Sequence, residues 1–298
     1  MDITDELRAF VATAQTGSFT AAAGQLGVSN RLTSKYVAAL EARLGVRLLQ
    51  RTTRRVGLTP AGEDLLARAP ALLDDLDELL AGVSEDSHGF SGVIRISAPV
   101  TFGEEYVTGM LDRFAAGNLR LTFDLRLDDR YVDLASEGID LAFRVGVSDT
   151  LSIKARKLGM MRVMMVASPA YLAATGRPER PEDLAGHSCI VDSNRRQPRR
   201  WLLHRDGQEV PVSMDGRFIV NSARAVCQLA LAGRGIAFLP RFAAREELAD
   251  GRLVPVLPDH AGEEIPVSAV YLEGRQLPRK IRALIDFAVR DIAQADIL

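Results

Sequence analysis

Ser18-Phe19-Thr20-Ala21-Ala22-Ala23-Gly24-Gln25-Leu26-Gly27-Val28-Ser29, continuing through Asn30–Leu44, is the stretch whose reading decides the fold. It reads as two short helices joined by a tight turn. Ser18 is an N-cap residue, and Ala21, Ala22 and Ala23 are strong helix formers small enough for a second helix to approach closely. Gly27 ends the first helix and supplies the turn, and Ser29 caps the second. Val37, Leu40 and Leu44 recur at helical spacing, which turns them inward. That rotation leaves Asn30, Arg31, Ser34 and Lys35 outward near the helix start. Such side chains reach base edges and phosphates in a major groove.

The residues that follow extend the pattern. Gly45 closes the second helix, and Val46–Arg51 and Val56–Leu58 read as two short strands. Between them, Thr52-Thr53-Arg54-Arg55 forms a basic tip. A hairpin placed there is a wing, which sets Arg51, Arg54 and Arg55 beside phosphates or a minor groove.

With these features in place, residues 1–62 resemble the DNA-binding domain of the LysR-type transcriptional regulators. The resemblance is carried by Phe10, Gly17-Ser18-Phe19, Ala21-Ala22-Ala23, Leu26-Gly27-Val28-Ser29, Ser34-Lys35, Leu40-Glu41, Leu44-Gly45-Val46-Arg47-Leu48-Leu49, Arg51 and Leu58-Thr59-Pro60-Ala61-Gly62. Two positions depart from the family pattern. Asn30 stands where proline is frequent, and Thr33 where an apolar residue is usual.

Charge is distributed in keeping with this reading. The 298-residue chain has a formal net charge of −2. Residues 1–59 nevertheless carry eight Lys/Arg against four Asp/Glu, whereas residues 60–92 carry one against eight. The basic charge lies with the groove-reading helix.

Residues 60–83 read as a long helix. Thr59 is its N-cap candidate and Pro60 its first residue. Leu65, Ala69, Leu72, Leu76, Leu79 and Val83, with Leu66, Leu73 and Leu80 alongside, make a wide apolar seam opposite an acidic side. The seam predicts a dimerising linker helix; packing on its own domain is the alternative. Pro70 predicts a kink. Residues 84–92 are polar and rich in Gly and Ser, as in a hinge.

From Val93, strand and helix patterns alternate, which implies a mostly parallel sheet covered by helices. This half resembles the family's effector domain, itself similar to periplasmic solute-binding proteins. The motifs are Arg95–Pro99, Glu137–Gly146, Ala167–Leu172, Pro181–Leu184 and Gly233–Pro240. The expected architecture is multidomain: an N-terminal winged helix-turn-helix (1–59), a linker helix (60–83), a hinge (84–92) and an α/β periplasmic-binding-protein-like effector domain (93–298). Its two subdomains are expected at 93–162 with 269–298, and at 163–268. Two crossing strands near 162–168 and 265–271 join them. Tyr131–Glu137 is expected as a short helix.

Open α/β sheets bind ligands beyond the carboxyl ends of their strands. Thr101 and Phe102 lie there after the first strand, and Arg144 at the end of another. Asn221 and Ser222 stand at a helix start in the second subdomain. Free N–H groups and a guanidinium suit a carboxylate. Helix capping is the plain alternative for Thr101, Asn221 and Ser222, as is an internal pair with Asp129 or Asp133 for Arg144. The resemblance brings these residues to one cleft. Arg195-Arg196-Gln197-Pro198-Arg199-Arg200 either lines the cleft mouth or is a solvated loop, with Trp201 packed inward.

Catalytic and metal signatures are absent: no phosphate-cradling lysine loop, nucleophile elbow or zinc spacing occurs. Neither enzyme activity nor a cofactor is therefore expected. Cys189 and Cys227, the two cysteines, are too few to staple a secreted scaffold and suit a reducing cytoplasm. A peroxide-sensing pair is the less favoured reading of them. No leader or membrane-spanning run is recognised. The sequence thus implies a cytoplasmic transcriptional regulator. Its expected partners are double-stranded promoter half-sites, a polar or anionic effector, and itself as dimer or tetramer. A solute-binding protein or sensor without gated DNA binding is the alternative.

Overall fold

The computed structural model describes residues 2–51, 56–83, 89–135, 137–146, 153–205, 208–273, 277–295 and 297–298. The N-terminal unit is built from α1 (Ile3–Thr16), α2 (Phe19–Leu26) and α3 (Asn30–Leu44), the hairpin β1 (Leu49–Arg51) and β2 (Val56–Leu58), and α4 (Pro60–Val83). Asp2, Ser18 and Ser29 each accept a hydrogen bond from a backbone N–H in the first turn of their helix, which satisfies donors that have no intrahelical partner. Gly27 has φ 66°, the left-handed value that makes the tight turn before α3. Ala9, Phe10, Val37, Leu40, Leu48 and Leu49 form the small core, and Ala69 and Leu73 of α4 join it. Leu44, expected inside, is 46% exposed, since it lies in the last turn of α3 beyond that core.

Three carboxylates tie this unit together. Glu6, 1% exposed, accepts from Arg43 Nε at 3.0 Å and Nη2 at 3.1 Å, a bidentate pair joining α1 to α3. The hydrogen-bonded Arg43 guanidinium holds the Glu6 carboxyl below its usual range. Glu41 accepts from the Leu48 and Leu49 N–H groups at 2.8 and 3.1 Å, fastening α3 to the wing. Asp77 pairs with Arg8, which docks α4 on α1. Thr59 caps α4, with its Oγ1 accepting from Gly62 N at 3.1 Å. A Cβ at Gly62 would stand 2.1 Å from the Leu48 carbonyl oxygen, so this crossing of wing and helix requires glycine.

The apolar seam of α4 is divided. Leu73 and Ala69 face the helix-turn-helix core, whereas Leu72, Leu79 and Leu80 are more than 60% exposed. Pro70 lies inside a helix that continues to Val83. The tip residues Thr52, Thr53, Arg54 and Arg55, and residues 84–88 of the hinge, lie outside the described residues.

The second unit is one mixed sheet wrapped by helices. In chain order it contains β3 (Ser91–Ala98), α5 (Val100–Phe102), a π-helical turn (Gly103–Val107), α6 (Thr108–Ala115), β4 (Arg120–Leu127) and β5 (Leu141–Val145). Then come β6 (Ile153–Ala167), α7 (Pro169–Thr175), β7 (Cys189–Asp192), β8 (Arg200–Arg205), β9 (Gln208–Ser213), β10 (Phe218–Val220) and α8 (Ala223–Leu231). Last are β11 (Ile236–Pro240), α9 (Arg245–Ala249), β12 (Val254–Pro255), β13 (Glu264–Leu272) and α10 (Arg279–Gln294). Among the described residues the strand order is β10-β7-β11-β6-β13-β5-β3-β4, with β12 also on β6. Strands β3, β4 and β5 run parallel, as do β7, β10 and β11. Two long strands between these sets run antiparallel to their neighbours: β6 pairs with β13 from Ile153 to Arg162 and then with β11 from Val163 to Val166. Each parallel set is one subdomain, and β6 belongs to both.

The described residues of 131–137 do not form the expected helix. Asp133 Oδ1 accepts from Ala135 N at 2.9 Å, and this local bond gives the backbone a turn instead. The hairpin β8–β9 lies outside the main sheet and buries Trp201 completely, its ring 4.9 Å from that of Phe238.

The Glu6–Arg43 pair sets an acid limit on the N-terminal unit. A carboxyl with a lowered folded-state pKa contributes stability that is complete above its unfolded value and lost as pH falls through the folded one. Glu6→Gln is expected to lower the thermal midpoint at pH 7. The gap from wild type is expected to close as melts are repeated below pH 4.

Candidate DNA interface and effector cleft

The recognition surface is the first half of α3. Arg31 and Lys35 are exposed one turn apart, Ser34 is half-buried between them, and Asn30 is exposed at the helix start. Asn30 Nδ2 donates to Thr20 Oγ1 of α2 at 3.1 Å. This fixes the amide and turns its oxygen away from that bond. Thr33, unusual for an inward position, is fully buried, with its hydroxyl donating to the Ser29 carbonyl at 3.1 Å. The polar atom is thereby satisfied within the helix, so the position packs as an apolar residue would. Arg51 ends β1, while Arg54 and Arg55 lie outside the described residues.

The second surface is the cleft at the carboxyl ends of the parallel strands. Thr101 is 6% exposed just after β3, and the Val100 N–H beside it donates to Asp129 Oδ1 at 3.0 Å. Phe102, placed in the site by sequence, is instead a core residue, 1% exposed. Its ring meets those of Phe143 at 6.4 Å and Phe242 at 5.7 Å, the latter from the opposite subdomain. Ser222 is an N-cap, its Oγ accepting from Ala225 N at 3.3 Å, and Asn221 presents its carbonyl to Asn194 Nδ2 at 2.7 Å.

Arg144 is the most unusual charge. It ends β5 with 7% exposure. Its Nη1 donates to its neighbour's carbonyl, that of Phe143, at 3.0 Å and its Nη2 to Ser97 Oγ at 3.2 Å. The Tyr131 ring lies 6.0 Å away. Of the two sequence alternatives, Asp129 is engaged elsewhere, accepting from Val100 N at 3.0 Å and from Asn194 Nδ2 at 3.0 Å. Burial lowers its pKa. Asp128, within electrostatic reach, is itself engaged by Arg130 at 2.8 Å and held at about 2 by those hydrogen bonds.

Arg195 departs from both sequence readings. It is tucked between Phe238, whose ring centre is 4.5 Å from the guanidinium, and Glu263, at 2.9 Å. Sequence reasoning also missed Asp192 and Asn194, and named Asp129 only as an internal partner for Arg144. All three lie at or just beyond the carboxyl ends of β4 and β7, the rule that singled out β3 and β5. Asp192 is 7% exposed, and burial raises its pKa. Both cysteines are buried, their thiols pushed up to about 12 by desolvation, which suppresses the reactive thiolate. No helix among the described residues is long and apolar enough to cross a membrane.

Comparison with known proteins identifies both domains. Residues 4–63 match the bacterial regulatory helix-turn-helix protein model of the lysR family, and residues 87–293 match the LysR substrate binding domain model. The chain is 36% identical over 282 residues to the HTH-type transcriptional regulator PtxR of Pseudomonas aeruginosa, covering 95% of this chain and 90% of that protein. It is 32% identical to the regulator CrgA of Neisseria meningitidis serogroup C, covering 97% and 96%. Among solved structures, the full-length Vibrio cholerae virulence activator AphB superposes with a TM-score of 0.61 at 30% identity, covering 97% of this chain and 99% of that one. CrgA superposes with 0.62 at 30% identity, covering 96% and 98%.

Proposed function

We propose, for a chain that belongs to the LysR family of helix-turn-helix transcriptional regulators, the residues through which it reads DNA and senses its effector. LysR-type regulators bind DNA and small-molecule effectors and oligomerise. In this chain, Asn30, Arg31, Ser34 and Lys35 read base edges of promoter half-sites. Arg51, Arg54 and Arg55 contact phosphates. The exposed Leu72, Leu79 and Leu80 of α4 pair with a second copy. The effector is a small organic anion or similarly polar molecule in the cleft, held by Arg144, Thr101 and the Asn221–Ser222 turn. The molecule is cytoplasmic, and its task is regulation rather than catalysis.

The observation that carries the effector assignment is Arg144: a guanidinium buried at the carboxyl end of a parallel strand, hydrogen-bonded among the described residues to neutral groups. Burying an unpaired charge is costly, and an anionic ligand offsets that cost. A planar carboxylate also matches the donor geometry of guanidinium.

Three outcomes are expected. Arg144→Met raises the effector concentration needed for a reporter response roughly ten- to hundredfold, the range of about 1.5–3 kcal/mol for a hydrogen bond to a charge, and Thr101→Val raises it by less. DNA binding without effector persists in both. Unfolding of the Arg144→Met protein would instead mark the arginine as structural. In gel shifts, Ser34→Ala and Lys35→Ala weaken binding to the cognate site more than to scrambled DNA, by up to roughly 1–3 kcal/mol of discrimination, while Arg54→Ala weakens both equally. Light scattering of the Leu72→Asp/Leu79→Asp protein shows a smaller species than wild type, and an unchanged mass would remove α4 from the interface.

A further inference from the structure

The loop after β7 crosses the cleft. Asn194 Nδ2 donates to Asp129 Oδ2 at 3.0 Å, and Asp129 stands in the loop after β4 on the opposite subdomain. The same nitrogen donates to the Asn221 carbonyl at 2.7 Å, immediately before the cap of α8. Asp129 meanwhile accepts from Val100 N through its other oxygen, at the start of the helical run after β3. These bonds form a chain, Val100–Asp129–Asn194–Asn221, that begins at a helix start in one subdomain and ends at a helix start in the other. Asn194 is itself held in register, since its N–H donates to Asp192 Oδ1 at 3.0 Å and the neighbouring Ser193 N–H donates to the Val220 carbonyl at 2.8 Å.

Other contacts between the subdomains include a hydrogen bond remote from these two helix starts, Arg245 Nη1 donating to the Ala295 carbonyl at 3.5 Å. Phe102 and Phe242 pack edge to face in the core, and Arg224 approaches Glu105 at 3.9 Å while engaging Glu247 of its own subdomain at 3.3 Å. The Asn194 bridge is the hydrogen-bonded link at the cleft itself. It is also chemically selective. An amide is the uncharged side chain that can donate to a carboxylate and a carbonyl from one nitrogen. An aspartate there would instead place a like charge against both Asp129 and Asp192.

We propose that Asn194 is the positioning residue that couples the two subdomains, and that an effector acts by changing the free energy of the Asn194–Asp129 bridge. The proposal rests on the cleft being the effector site. A ligand group that competes for Asp129 or for the Asn194 amide shifts the subdomain equilibrium by its differential affinity for bridged and unbridged arrangements. The bridge thereby connects cleft occupancy to α8 on one side and to the helical run after β3 on the other.

The test uses the full-length protein and no effector, so it stands apart from the Arg144 and Thr101 experiments. Spin labels at Asp112→Cys and Gln228→Cys, both exposed, report the distance between subdomains. Cys189 and Cys227 are at most 1% exposed and stay unlabelled. Labelled chain is diluted into unlabelled chain so that each distance lies within one copy. Asn194→Asp is expected to lengthen the mean distance by several ångströms and broaden its distribution, and Asn194→Ala to do so less. Combining Asn194→Asp with Asp129→Asn restores a donor and an acceptor to this one bond but not the bond to Asn221, and is expected to return the distribution part of the way to wild type. An unchanged distribution in both single variants overturns the proposal. So does a widened distribution that the exchange leaves in place, because a general disturbance of the loop would not be rescued at Asp129. If Asn194→Asp fails to fold, Asn194→Ala decides by the same measurement.

Discussion

The backbone ladder between β6 and β13 is the constraint on which the effector domain depends. Its register runs from Glu264 opposite Arg162 to Leu272 opposite Ile153, with one irregularity between Val267 and Ser268. Because β6 then continues onto β11 and β12, the same fifteen-residue strand is built into both parallel sets. Neither subdomain can translate away from the other without breaking this ladder. Motion is therefore confined to twisting and bending about the shared strands. That is the mechanical setting in which a cleft between them is useful, since contacts there act on the one kind of motion the shared strands permit.

The cleft also shows how one fold treats two buried arginines differently. Arg195 is paired from within: Glu263 neutralises it and Phe238 covers its face, although its buried Nε–H has no partner among the described residues. Arg144 has neutral partners, Ser97 Oγ and a backbone carbonyl, and an aromatic ring at a distance. On the proposed function a charge left in the second state suits an external anion, whereas one in the first state is neutralised within the fold. Composition cannot separate the two. Arg195 stands in the densest basic run of the chain, and Arg144 stands alone, yet among the described residues it is Arg195 that has the paired carboxylate.

Much of the DNA-binding unit was legible because its signals are local. Ser18, Ser29 and Thr59 cap within three residues, Gly27 and Gly45 turn the chain at once, and the apolar spacing of α3 names Val37 and Leu40. Leu44 failed because the end of a helix outruns its core, which periodicity does not reveal. The alternation of strands and helices predicted a sheet covered by helices and the family resemblance implied its two subdomains, but Tyr131–Glu137 was misread where an aspartate side chain competed with the helix. The cleft was legible only in part. Arg144 and Thr101 follow from the rule about strand ends. Asn194 and Asp129 are 65 positions apart, and only the crossing of β6 and β13 makes them neighbours.

Gly62 has a further consequence. With the start of α4 pressed on the wing carbonyl of Leu48, and Asp77 paired to Arg8, helix and DNA-reading head form one rigid lever. The helix has 24 residues and is therefore about 36 Å long. A swing of about 10° about its far end carries the head through roughly 6 Å, close to the width of a minor groove. A modest rotation where the effector domain begins is thus magnified into a displacement comparable to the groove itself. Under the proposed function, the lever ratio, rather than any large motion in the cleft, carries a small-molecule signal to the DNA-reading head.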